Sequence, residues 1–193
     1  MAWVSTSPLV KTYTLEEFWE LPEPPDHSKL ELIAGVLYMS PPPGYLHNNA
    51  VSRLLILLPD YLIRSGDKGK LFVPRAGIIR GPNSWLEPDL FYVAAATDAY
   101  ADPKYPQYMS TADLVIEVIS PGSAIYDRNT KADTYAVLGV KELWLIDEAS
   151  GIIEVRVLQG DRYAPSLVLE RDDLLKSTVL SGFEVRVGDV FDT

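Results

Sequence analysis

The chain has 193 residues, 47% of them hydrophobic, which is enough for one domain with a real core and too apolar for disorder. Acidic side chains outnumber basic ones 27 to 17, and the net charge of −10 argues against broad, non-specific binding to nucleic-acid phosphates. No cysteine is present, so disulfides, thiolate nucleophiles and zinc–cysteine sites are excluded, and the chain fits a reducing cytoplasm.

The start, Met1-Ala2-Trp3-Val4-Ser5-Thr6, lacks the basic and apolar stretches of a signal peptide, and the first dozen residues read as loose. Thr14, with Glu17 three residues on, has the capping-box spacing for a short helix reaching about Trp19. Residues 29–39 read as two strands turning at Ala34-Gly35. Pro41-Pro42-Pro43-Gly44 breaks the chain. Residues 45–64 have helical periodicity, with Val51, Leu54, Leu55, Leu58 and Leu62 on one stripe and Pro59 placed to kink or divide the helix. With Pro59 and Asp60 inside it, the longest apolar segment is too short and broken to span a membrane, so the chain reads as soluble.

Strands are expected at 71–73, 77–80 and 89–93. Residues 97–112 are polar, with prolines and tyrosines, and read as a surface excursion whose Tyr100, Tyr105 and Tyr108 are exposed for a dimer contact or substrate stacking, or else pack locally. Residues 114–119 form the clearest buried strand. Asp127 suits the N-cap of a helix over 128–138, with Gly139 as its stop. Another buried strand covers 142–147, and 152–158, 162–169 and 183–187 read as antiparallel strands. The strand–helix–strand unit requires parallel pairing and the hairpins require antiparallel pairing. The fold expected is mixed α/β (α+β): one domain over 1–193 with a mixed central sheet, flanking helices and extra antiparallel strands.

Two carboxylates stand out. Glu117 interrupts the apolar run Leu114-Val115-Ile116-Glu117-Val118-Ile119, and Asp89 opens the run Leu90-Phe91-Tyr92-Val93. A carboxylate in a buried strand needs a cationic partner or a metal. Two of them on neighbouring strands suit a hard divalent ion, which takes one or two carboxylates and keeps several waters. For Asp89, the alternative is a strand start whose carboxylate reaches solvent or a turn amide. Lys131 falls on the helix after the Glu117 strand, with Tyr135 and Leu138 at i+4 and i+7 on a stripe that faces the sheet. There it could orient a water or offset phosphate charge, or it could be a solvated lysine paired with Asp127. Glu31, in Leu30-Glu31-Leu32-Ile33, is a further acidic ligand or a solvent-facing strand residue. His47, near the start of the long helix, is a local hydrogen-bonding residue; with only two histidines, a histidine cluster is excluded. Residues 51–80 carry six basic and two acidic side chains, either a locally positive face or a solvated helix end and loop. G-x-G-x-x-G, the Walker loop and G-x-S-x-G are absent.

Pro88-Asp89, then Glu117-Val118-Ile119, then a lysine on the next helix resembles the PD-(D/E)XK nuclease superfamily. More closely, about 12–190 resembles the Uma-type restriction-endonuclease family. The resemblance is carried by Leu114-Val115-Ile116-Glu117-Val118-Ile119-Ser120-Pro121, Tyr126-Asp127-Arg128, Lys131, Tyr135, Gly139-Val140 and Glu142-Leu143-Trp144-Leu145-Ile146-Asp147. Leu30-Glu31-Leu32-Ile33 with Gly35, and Ser40-Pro41-Pro42 before His47, also fit. One position departs from the superfamily pattern: the lysine due two residues after Glu117 is Ile119, and the family resemblance implies that its role passes to Lys131.

The resemblance implies a restriction-endonuclease-like core and metal-dependent phosphodiester hydrolysis. Asp89, Glu117 and the Val118 carbonyl would hold Mg²⁺ or Mn²⁺. Glu31 would complete the acidic set, Lys131 would position the attacking water, and His47 and Tyr135 would support the site. DNA is the implied partner, and cleavage of both strands would call for a homodimer. Two other readings remain open at this point. The net charge favours a non-catalytic binding or regulatory module of the same fold, and an acidic surface suits a hydrolase of small phosphorylated substrates.

Overall fold

The computed structural model describes residues 11–99, 104–120 and 126–192. The described residues fall into two compact units, one within 1–42 with 80–86 and the other within 43–79 with 87–193.

In the first unit, helix α1 (Leu15–Trp19) opens with the expected capping box: Thr14 Oγ1 accepts the Glu17 amide and Glu17 accepts the Thr14 amide. Strands β1 (Lys29–Ile33) and β2 (Val36–Ser40) form an antiparallel hairpin with Ile33 opposite Val36. The two turn residues, Ala34 and Gly35, have φ of 49° and 82°, as a type I′ turn requires. The chain returns at 80–86, where Trp85 pairs with Leu32. Leu15, Phe18, Leu32, Ile33, Trp85 and Leu86 are buried here.

The second unit begins with α2 (Tyr45–Ser65), whose apolar stripe buries Ala50, Val51, Leu54 and Leu58 while Leu55 and Leu62 are half-buried. The helix runs on through Pro59 and is not divided there. A seven-stranded sheet follows, built from β3 (Lys70–Phe72), β6 (Leu90–Val93), β7 (Leu114–Ile119), β8 (Glu142–Asp147), β9 (Ile152–Gln159), β10 (Arg162–Tyr163) and β11 (Leu167–Leu169). The order is β10-β9-β8-β7-β6-β3, with β11 also on β9. Strands β7 and β8 are parallel, as their connection through a helix demands, and the other pairs are antiparallel. Two-residue alternation turns Leu114, Ile116 and Val118 toward the core that α2 covers, together with Trp144, Ile146, Ile153 and Val155. Val115, Glu117 and Ile119 therefore lie on the opposite face.

Several elements differ from the sequence expectation. Residues 162–169 form two strands instead of one, because Pro165 between them offers no amide to the ladder. Strands β4 (Ile78–Ile79) and β13 (Glu184–Arg186) fall within the expected 77–80 and 183–187, but short β5 (Trp85–Leu86), β12 (Leu174–Lys176) and helix α4 (Gly188–Phe191) were not anticipated; elements of two to four residues have no period to detect. Residues 97–112 are not a simple surface excursion: Ala99, Tyr105, Met109 and Ala112 are buried, and Ile79 donates to the Met109 carbonyl. Tyr105 is thus no exposed aromatic, Tyr108 is half-buried, and Tyr100 lies outside the described residues. Within 51–80, Arg64 pairs with Asp60, Arg75 lies 3.7 Å from Glu87 and Arg53 donates to the Asp189 carbonyl, which favours the solvated reading of that segment. Among the described residues no helix is long and apolar enough to cross a membrane.

Two polar anchors tie the segments beside β6 and β7 to those strands. Tyr92 Oη donates to Asp67 at 2.7 Å; burial and that neighbouring carboxylate push the phenol up. The Tyr92 ring leaves no room at Gly69, where an added Cβ would lie 2.2 Å from Oη. Asp113 is buried, and burial raises its pKa. The Lys141 ammonium, the Ala94 amide and the Thr97 hydroxyl outweigh burial and hold it below the usual carboxylate value.

Gly69→Ala is expected to destabilise the protein by about 1–3 kcal/mol in urea unfolding, because the tyrosine must leave its rotamer or its partner. Asp113 has a depressed folded pKa, so its contribution is present above the unfolded value of about 3.9 and is lost as pH falls through the folded one. Asp113→Asn should therefore be destabilising at neutral pH, and its deficit should shrink on acidification below about pH 4 in the same measurement.

Candidate active site

Asp89 immediately precedes β6. Strands β6 and β7 pair with Leu90 opposite Ile116, so one further step would set Asp89 opposite Glu117. The next residue back is Pro88, which has no amide to pair. The ladder ends there, and the Asp89 side chain replaces it: Oδ2 accepts the Val118 amide at 2.8 Å. Its other oxygen, Oδ1, lies 3.3 Å from His47 Nε2 on the first turns of α2. Asp89 is therefore buried and tied to the strand beside it, and the solvent-facing alternative does not apply.

Glu117 projects from the face of β7 opposite α2. Its Oε1 lies 2.5 Å from Lys131 Nζ and accepts the Tyr135 hydroxyl at 2.5 Å. Lys131 is 1% exposed, so it is not the solvated lysine that position alone allowed. Its ammonium also lies 3.7 Å from Asp127 Oδ1. Burying an ion pair costs several kcal/mol per ion, and only close geometry with further hydrogen bonds offsets this. The tyrosine hydroxyl and the second carboxylate supply those contacts.

The backbone that delivers Lys131 differs from the helix expected. Tyr126 is already helical, and Asp127–Lys131 is a π-helical turn that leads into α3 (Ala132–Val137). Asp127 is consequently not an N-cap; it is buried in the turn and faces Lys131. At 3.6 residues per α-turn a residue four places on lies past a full turn, whereas the wider π-turn leaves it short. A π-turn followed by an α-turn keeps Asp127, Lys131 and Tyr135 on one line facing the sheet. Helix α3 closes as expected at Gly139, with Schellman bonds from Gly139 to Ala136 and from Val140 to Tyr135.

Glu31 lies in the first unit, on β1, opposite Tyr38 in the register. It is buried instead of solvent-facing, and its Oε2 is 3.9 Å from Lys29 Nζ. The sequence reading missed Glu148, which follows β8. Burial pushes this carboxyl up; His47 opposes the shift, while Asp147 and Asp89 add to it. Its Oε2 is buried and has no hydrogen-bond partner among the described residues. The only signal in the sequence was the adjacent pair Asp147-Glu148 at the end of a buried strand.

In the second unit, three carboxylates (Asp89, Glu117 and Asp127) are set against one ammonium, Lys131, and one imidazole, His47. Excess negative charge carried by hard oxygen donors fits a divalent cation such as Mg²⁺. Among the described residues, no group of three or more His, Asp or Glu side chains is placed to hold a metal ion.

Residues 15–188 match the model of the Uma2 family, described as "Putative restriction endonuclease". Among solved structures, the chain resembles the crystal structure of a "putative nuclease belonging to DUF820" from Anabaena variabilis. That likeness has a TM-score of 0.72 at 20% identity and covers 93% of this chain and 97% of the other. At that identity it shows the fold, a mixed sheet with helices of the kind the sequence implied. Among proteins of curated function none matches in sequence. With the family model spanning nearly the whole chain, this protein belongs to the Uma2 restriction-endonuclease-like family.

Proposed function

We propose that the protein is a divalent-metal-dependent endonuclease that hydrolyses phosphodiester bonds in DNA. One observation carries this reading: a buried lysine ammonium lies 2.5 Å from Glu117, and Asp89 is fastened to the next amide of the same strand. Asp89, Glu117 and the Val118 carbonyl are the groups that would hold Mg²⁺ or Mn²⁺. When bound, the ion lowers the pKa of a water and neutralises charge on the phosphate.

The chain's own residues do the rest. Lys131 holds Glu117 Oε1 and offsets charge developing on the phosphate, an effect strengthened by its dry surroundings. Tyr135 holds Glu117 Oε1 by a hydrogen bond, so the carboxylate keeps one orientation. His47 Nε2 lies 3.3 Å from Asp89 Oδ1, while the Val118 amide holds Oδ2. The net charge of −10 favours one other reading, a non-catalytic module of the same fold. The two readings differ in whether DNA is cut.

Plasmid DNA should be cleaved with Mg²⁺ or Mn²⁺ and left intact with a chelator. Lys131→Ala should slow cleavage on the order of 100-fold or more. Asp89→Asn and Glu117→Gln should remove Mg²⁺ binding seen by calorimetry. Absence of metal-dependent cleavage, with Mg²⁺ binding indifferent to both carboxylate changes, would sink the reading.

The ion pair makes a separate prediction on stability. Lys131→Met and Glu117→Gln should each cost about 3–5 kcal/mol in urea unfolding, because each strands a buried charge. The double variant should cost clearly less than the sum. Strict additivity would show that the two groups do not depend on each other.

A further inference from the structure

We propose that Arg128 and Arg156 are positioning residues for Lys131: their ionic network with Asp147 and Glu154 holds the π-helical register that keeps the ammonium on Glu117. The catalytic meaning of this rests on the nuclease reading; the positioning itself does not.

A π-turn is rarer than an α-turn and persists where surrounding contacts favour it. In an α-helix the Ala132 amide would bond the Arg128 carbonyl. Here it bonds the Asn129 carbonyl instead, and Arg156 Nη1 takes the Arg128 carbonyl at 2.7 Å. A guanidinium from β9 thus bonds a carbonyl that the Ala132 amide does not take. The Arg128 side chain is gripped as well: Nε donates to Glu154 at 2.6 Å and Nη2 to Asp147 at 2.8 Å.

Arg156 closes the circuit, with Nη2 3.2 Å from Glu154 and Nε donating to Ser166 at 3.0 Å. Asp147 is independently fixed, since its Oδ1 accepts the Ala149 and Ser150 amides in the turn after β8. The turn is therefore pinned through both the side chain and the carbonyl of Arg128, three residues before Lys131. If the turn reverted to α-helix, Lys131 and Tyr135 would rotate away from the line they share with Asp127.

The test uses the full chain and two readouts. One is the rate at which an amine-acetylating reagent modifies Lys131 without metal, followed by mass spectrometry, with exposed Lys176 as internal reference. The other is kcat and KM for plasmid cleavage. In Arg156→Ala and Arg128→Gln, Lys131 acetylation should rise on the order of 10-fold or more at temperatures where the protein stays folded. The kcat should fall on the order of 100-fold with KM little changed, the cost of a small misplacement of a catalytic group. Arg156→Lys keeps the charge and one donor toward Arg128, and it should recover part of both.

Lower melting temperature with Lys131 still protected would mean a merely structural role and would overturn the proposal. If Arg156→Ala does not fold, Arg128→Gln and Arg156→Lys decide the matter by the same acetylation rates. If the wild type cuts no DNA, the nuclease reading fails, while the acetylation comparison still decides the positioning.

Discussion

Burial of the Lys131 ammonium against Glu117 is the constraint on which the rest of the site depends. A charge at 1% exposure has no water to solvate it, so every group around it must be placed to compensate. That requirement accounts for Tyr135 on the same carboxylate oxygen and for Asp127 one turn back. It also accounts for a backbone turn wound to keep all three on one line. The sheet contributes Glu117 from the middle of a strand whose other side chains are apolar, which excludes the water that would weaken the pair.

The two faces of β7 divide the work. Leu114, Ile116 and Val118 pack beneath α2 and give the sheet its core. The opposite face carries Glu117. The strand backbone adds a third element, because the Val118 amide passes the end of β6 and binds Asp89 instead of another strand. A side chain thus completes the ladder that Pro88 ends, and Asp89 is held against β7 beyond the end of β6. The arrangement is economical: the strand that builds the core also fixes both carboxylates.

Much of the fold was legible in the sequence because it rests on local signals. The capping box at Thr14, the Ala34-Gly35 turn, the stripe on α2 and the stop at Gly139 are all short-range patterns with physical causes. The parallel pairing of β7 and β8 followed from the helix between them. Short strands without periodicity were invisible. The inward packing of 97–112 was hidden behind a polar composition, since a few small and apolar residues (Ala99, Met109 and Ala112) set its course.

The candidate site was legible only as a set of anomalies. Among the described residues, a glutamate inside a buried strand occurs four times, at Glu31, Glu117, Glu142 and Glu154, and sequence pattern alone does not say what compensates each. Glu142 is met by the Trp144 indole and by the Thr178 amide and hydroxyl, all neutral donors. Glu154 is met by two arginines, and Glu117 by a lysine and a tyrosine. By itself, the sequence determined the element types, the parallel unit and the residues that could carry chemistry, because those follow from spacing and side-chain type. The tertiary structure decided which carboxylate faces which cation, that Asp127 is a partner and not a cap, and that Glu148 feels the charges of His47 and Asp89. Those outcomes depend on strand register, on where a ladder ends and on how one turn is wound, and long-range packing sets all three.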